Sequence, residues 1–128
     1  MKLMASVLTT CVLVAAAIDA TAGALDECMI RGDQAVVRSC LVEADREAQL
    51  ALNKAEGDAG KRARDIDTAT GRPGAAVALA KSMRAFVDYR KAQCEFVRAM
   101  YASGNGADQG QLACMVDMTR RRVRDFPN

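Results

Sequence analysis

Residues 34–66, QAVVRSCLVEADREAQLALNKAEGDAGKRARDI, decide how this chain folds. Within them Val37, Leu41, Ala44, Ala48, Ala51, Ala55, Ala59, Ala63 and Ile66 recur in steps of three and four. That spacing is the 3.6-residue period of an amphipathic helix with one buried stripe. Asp33, immediately before the stretch, has the side chain of a helix N-cap. Gly57 and Gly60 each cost about 1 kcal/mol in a helix interior, so fraying or a bend is expected there. The first clear break is Thr68-Ala69-Thr70-Gly71-Arg72-Pro73-Gly74.

The same period returns twice further on. A second helix is expected from Pro73, which suits a first helical position, with Ala76, Leu79, Met83, Phe86, Arg90, Cys94, Val97 and Tyr101 on its stripe. The Gly-rich run 103–110 reads as a turn. The last helix is expected from about Gln111, with Leu112, Met115, Thr119, Val123 and Phe126 on one face. Three amphipathic helices with two connections predict an all-α fold, an antiparallel three-helix up-down-up bundle. Residues 23–32 read as a short leader, and 23–128 as one helical domain with no repeat and no alternating strand. Arg31-Gly32-Asp33, at the end of that leader, reads as a helix start rather than an adhesion signal.

Composition narrows the chemistry. Histidine is absent, which removes Ser–His and Cys–His nucleophiles, His-ligated metals and imidazole acid–base catalysis. No Cys-x-x-Cys pair occurs, and the methionines suit core filling, so no metal site and no cofactor are expected. Ser103 has no histidine to activate it, and no carboxylates are marked as an acid–base couple; the chain does not read as an enzyme. Beyond residue 22, seventeen basic residues face fifteen acidic ones, and the chain has no Trp and 4% aromatics. Nucleic-acid binding calls for a larger basic excess and aromatic platforms, so Arg120, Arg121, Arg122 and Arg124 read as a solvated helix face.

The N-terminus reads as an address. Lys2 precedes an apolar run from Leu3 to Ile18, and Ala20-Thr21-Ala22 offers a small-x-small cleavage site. Residues 1–22 are therefore expected to be a secretory signal peptide, too short in its apolar part for a membrane span, and the product periplasmic or secreted. The lesser alternative is a lipoprotein box at Leu8-Thr9-Thr10-Cys11, which would make Cys11 a lipid anchor. Four cysteines remain: Cys28, Cys40, Cys94 and Cys114. In an oxidising compartment they read as two disulfides with three possible connectivities. Spacing favours the local pairs Cys28–Cys40 and Cys94–Cys114, each stabilising by about 3 kcal/mol.

Arg90 falls on the buried stripe of the second helix, and a buried guanidinium needs a partner. Asp45, on the flank of the first helix, is the expected one, with Asn53 as an additional hydrogen-bonding group. This pair reads as a structural bridge that fixes the register of two helices.

Ala85-Phe86-Val87-Asp88-Tyr89-Arg90-Lys91-Ala92-Gln93-Cys94 resembles the Ala-Trp-x-x-Tyr-Arg-Asp-x-x-Cys signature of the LprI-type lysozyme-inhibitor domain family. Cys28 and Cys40 are similar to that family's first two cysteines, and Ala44-Asp45 with Leu52-Asn53 to its Ala-Asp…Leu-Asn element. Cys114, Thr119 and Arg122 match its closing Cys-x4-Thr-x2-Arg. Phe86 replaces the usual Trp, Lys91 an Asp, and Glu56 an aromatic residue. The resemblance implies an exported module with a protein partner, a lysozyme, whose glycan cleft it blocks. The alternative is a structural or regulatory cell-envelope module that binds peptidoglycan or another protein. A plug needs a protruding, ordered segment, and here 103–110 is expected to supply it through Ser103, Asn105 and Asp108.

Overall fold

A computed structural model describes residues 23–102, 104 and 106–126. The expected signal peptide, with Cys11, lies outside the described residues, as do Ser103 and Asn105. Four helices follow in order: α1 (Ala24–Met29), α2 (Gln34–Thr70), α3 (Ala75–Met100) and α4 (Ala107–Arg124). The three long ones form the antiparallel all-α bundle that the periodicity predicts, with α4 packed against both α2 and α3.

Local chemistry sets the helix limits. Asp33 Oδ1 accepts the N–H groups of Ala35 at 3.0 Å and Val36 at 3.1 Å, which makes it the N-cap of α2. Neither Gly57 nor Gly60 interrupts that helix. Lys54 pairs with Asp58 and Lys61 with Asp65 one turn apart, stitching the solvent face on either side of the glycines. Gly71 ends the helix at φ 62°, a left-handed conformation that favours glycine. α3 starts at Ala75, two residues after Pro73, because the Asp67 carboxylate takes its first N–H groups. Oδ1 accepts from Gly74 and Ala75, and Oδ2 from Ala76.

Two expectations are corrected. Part of the presumed leader is helical: α1 lies over α2 and α4, with Ala24 and Cys28 buried. Its free N-terminal N–H at Ala24 donates to Asp117 Oδ1 at 2.9 Å, and Glu27 pairs with Arg120 at 2.8 Å, so α4 supplies the contacts that hold it. The last helix begins at Ala107, ahead of Gln111, which places Gly110 inside α4.

The core is small. Leu41, Val116, Thr119, Cys28 and Cys94 are its largest fully buried side chains. Two disulfides reinforce it, Cys28–Cys40 between α1 and α2 and Cys94–Cys114 between α3 and α4, the local pairing. The bundle is lopsided along its axis. α4 stops at Arg124, and its Arg122 reaches Ser82 on α3. Beyond that level only α2 and α3 continue among the described residues, as a two-helix arm within residues 57–82 closed by the turn 71–74, with Val123 and Phe126 beside its base at Asp58 and Arg62. Ala75 stands about 10 Å past Ser82 at 1.5 Å per residue. Within the arm only Ala63 is buried, and Ile66, expected on the buried stripe, is 55% exposed because no third helix covers it.

Candidate functional site

The residues that carry the sequence signature converge at the centre of the bundle. Thr119 on α4 is fully buried, and its hydroxyl is shared three ways. It donates to the Met115 carbonyl at 2.7 Å, the i−4 back-bond open to a threonine in a helix. It accepts from Arg90 Nη1 at 2.6 Å and from Gln49 Nε2 at 3.3 Å, so one hydroxyl ties α2, α3 and α4 together. Arg90 is thus half-buried, as its stripe position predicts, but its partner is Thr119. The ion pair expected with Asp45 is not formed. Asp45 Oδ1 is instead a buried acceptor with no donor among the described residues.

Phe86 is the second junction. The guanidinium carbons of Arg90 and Arg122 each lie 5.5 Å from its ring centroid, and Arg122 also lies 4.7 Å from the Phe126 centroid. Arg122 is therefore held between two rings, with Nη2 donating to Ser82 Oγ at 2.8 Å. Two cations against one ring repel each other. Glu56 supplies the opposing charge nearby: burial pushes its carboxyl above the usual range, and Arg122 and Arg90 pull it part of the way back. The position where the family resemblance has an aromatic residue is thus occupied by an acid facing two arginines.

The α3–α4 connector is tied down from both sides. Cys94–Cys114 joins the helices below it, and Met118 Sδ lies 3.7 Å from Cys94 Sγ. The Tyr101 ring lies over Gly110, where an added Cβ would come within 2.5 Å of the ring. Arg98 Nε meets Asp108 Oδ1 at 3.0 Å, and Gln109 Nε2 donates to the Gln34 carbonyl at 3.1 Å. Ala102 turns the chain at φ 45°, a left-handed conformation unusual for alanine. A groove of about 740 Å³ opens beside this turn between Glu95, Ala99, Gly104 and Gln34. Of the three contacts expected in 103–110, only Asp108 is among the described residues; it lies in the first turn of α4 and its carboxylate is already paired with Arg98.

Among the described residues no three His, Cys, Asp or Glu side chains are grouped to hold a metal ion, and no helix is long and apolar enough to cross a membrane. The arrangement is one of structural junctions and exposed surfaces. In comparison with known proteins, residues 26–126 match the family described as lysozyme inhibitor LprI. The chain belongs to the LprI lysozyme-inhibitor family. No curated protein and no solved structure matches it. The LprI match runs from α1 through the end of α4, so it covers both disulfides, the Thr119 junction and the whole arm.

Sequence reasoning placed Arg90, the cysteines and Thr119 on their stripes but missed that Thr119 is the partner of Arg90 and Gln49. A threonine on an otherwise apolar stripe is itself the signal, because a buried hydroxyl has to find partners. In the LprI signature segment, Phe86, Arg90 and Cys94 turn inward while Tyr89 is 60% exposed. One short sequence thus serves both the interior and the outer surface of α3.

Proposed function

We propose that this protein is a binding module that docks on a lysozyme and obstructs its glycan cleft, doing no chemistry of its own. The observation that carries the reading is the LprI family match over 26–126, which spans all three long helices and both disulfides. Its physical support is rigidity. An inhibitor that orders itself only on contact loses binding energy to that ordering. Here two disulfides, the Thr119 junction and a half-buried arginine between two rings fix the surface before any partner arrives. Disulfides of this kind persist outside the cytoplasm, which suits a periplasmic or secreted site of action.

Two segments are candidates for the cleft, which accepts one. The first is the stretch 103–110 with Ser103, Asn105 and Asp108, the last of them in the first turn of α4. The second is the arm. The function itself is tested by adding the oxidised protein to lysozymes of several structural types and measuring peptidoglycan lysis. Dose-dependent inhibition of at least one type is expected. Failure against all of them would leave the envelope-module reading, in which the protein is retained by insoluble peptidoglycan in a pull-down.

A further inference from the structure

We infer that the segment entering the cleft is the apex of the α2–α3 arm, Gly71-Arg72-Pro73-Gly74, with the Arg72 guanidinium directed at the enzyme's catalytic carboxylates; this rests on the inhibitor reading above. Four observations meet at this turn. It lies beyond the end of α4, past the level where Arg122 meets Ser82. It is slender, because Gly71 and Gly74 flank it with no side chain and nothing stands within 4 Å of where their Cβ atoms would be. Arg72 is the only long side chain on it.

The turn is also held in shape. Gly71 takes its left-handed conformation at φ 62°, Pro73 fixes its own φ, and the Arg72 N–H donates to Thr70 Oγ1 at 3.3 Å. Asp67 grips the other side through the N–H groups of Gly74, Ala75 and Ala76.

Charge decides between the two ends. The arm carries three acids, and each is committed: Asp58 to Lys54, Asp65 to Lys61, and Asp67 to the backbone of α3. Arg64, Arg72 and Lys81 have no side-chain hydrogen-bond or ion-pair partner among the described residues, which leaves the arm a net cation. Glycoside hydrolases work with a pair of carboxyl groups across the scissile bond. A guanidinium can meet a carboxylate through two parallel hydrogen bonds, and that pairing strengthens where the cleft excludes water. At the other end Asp108, in the first turn of α4, would be repelled by the same carboxylates, and would first have to leave Arg98. Ile66 and Val77, 55% and 71% exposed, lie within six residues of Arg72 and offer apolar surface to the cleft rim.

The test compares wild type, Arg72→Ala, Arg72→Lys and Lys81→Ala as oxidised proteins, each with its melting temperature, against the lysozyme that the wild type inhibits. A further variant combines Ser103→Ala, Asn105→Ala and Asp108→Ala. Arg72→Ala is expected to weaken inhibition about 30-fold or more with unchanged melting, as for loss of one side of a desolvated charge pair. Arg72→Lys restores only part, since an ammonium lacks the planar fork. Lys81→Ala and the connector variant stay within about twofold of wild type, and inhibition is competitive with peptidoglycan. Two results overturn the inference while leaving the inhibitor function intact: an Arg72→Ala protein as potent as wild type, or equal losses for Arg72→Ala and Lys81→Ala. A wild type that inhibits no lysozyme removes the reading on which the inference stands.

Discussion

Thr119→Val keeps the branched shape of a fully buried residue and removes only its hydroxyl. The side chain then cannot accept from Arg90, a bond of 2.6 Å, or from Gln49, one of 3.3 Å. A hydrogen bond to a charged group contributes about 1.5–3 kcal/mol, and the longer neutral one less than about 1 kcal/mol. Loss of the back-bond to Met115 is close to neutral, since that carbonyl belongs to the helix ladder, and the new methyl group gains a little by burial. The expected net loss is about 2–3 kcal/mol, which in a domain of this size lowers the melting temperature by roughly 10–20 °C. Urea unfolding followed by circular dichroism, with both disulfides intact, measures it. The location of the loss is checked by a double-mutant cycle with Arg90→Met, for which a coupling of about 1–2 kcal/mol is expected. The cycle of Arg90→Met with Asp45→Ala is expected to show none, and Asp45→Ala alone to be near neutral, because its buried oxygen has no donor to lose. A Thr119→Val protein within about 0.5 kcal/mol of wild type, or an Arg90–Asp45 coupling larger than the Arg90–Thr119 one, would refute this account of the junction.

Reduction of both disulfides is expected to remove about 6 kcal/mol, comparable to the whole stability of a small domain, so a reduced sample should melt far earlier or not fold at all. Gly110→Ala places a methyl where the Tyr101 ring now sits. The ring should swing out, seen as faster proteolytic cleavage of the connector, while helix propensity gains about 1 kcal/mol and keeps global stability near wild type. Asp67 predicts a pH dependence confined to the arm. Backbone N–H groups of Ala76 and Ala75 hold its carboxyl below the usual carboxylate range. The support it gives α3 is therefore complete above the ordinary carboxylate pKa and is lost as pH falls through the depressed one. Hydrogen exchange at Ala75 and Ala76 should accelerate across that window, and Asp67→Asn should flatten the response; unchanged exchange in the variant would show that the cap does not matter.

The bundle was legible because long helices announce themselves through period and punctuation. Asp33 starts α2 as read, the helix runs three residues into the expected 68–74 break before Gly71 ends it, and the cysteine spacing led to the observed pairing. Three readings failed for a common reason: they depend on which helix faces which. The stripe through Ile66 is as periodic as that through Leu41, yet only the latter has α4 to bury it. Arg90 was correctly marked as needing a partner, but a carboxylate on α2 was no better placed by spacing than a hydroxyl on α4. α1 is six residues long and has no periodicity to detect; it is helical because Asp117, Arg120 and a disulfide hold it from distant sequence. Of the candidate site, charge and turn chemistry were readable, whereas protrusion was not, because it follows from α4 being eight residues shorter than α3.

Each disulfide joins a cysteine to the next one along the chain, and this order matters when the chain is made. A polypeptide that emerges N-terminus first into an oxidising compartment exposes Cys28 and Cys40 while Cys94 is still to come. Once a signal peptide carrying Cys11 is removed, the first bridge can close correctly with no competing thiol, and the second pair then meets only itself. In such a compartment the nascent chain can be oxidised without the thiol–disulfide exchange that interleaved pairings require, so a simple oxidase would be enough where other four-cysteine topologies need an isomerase.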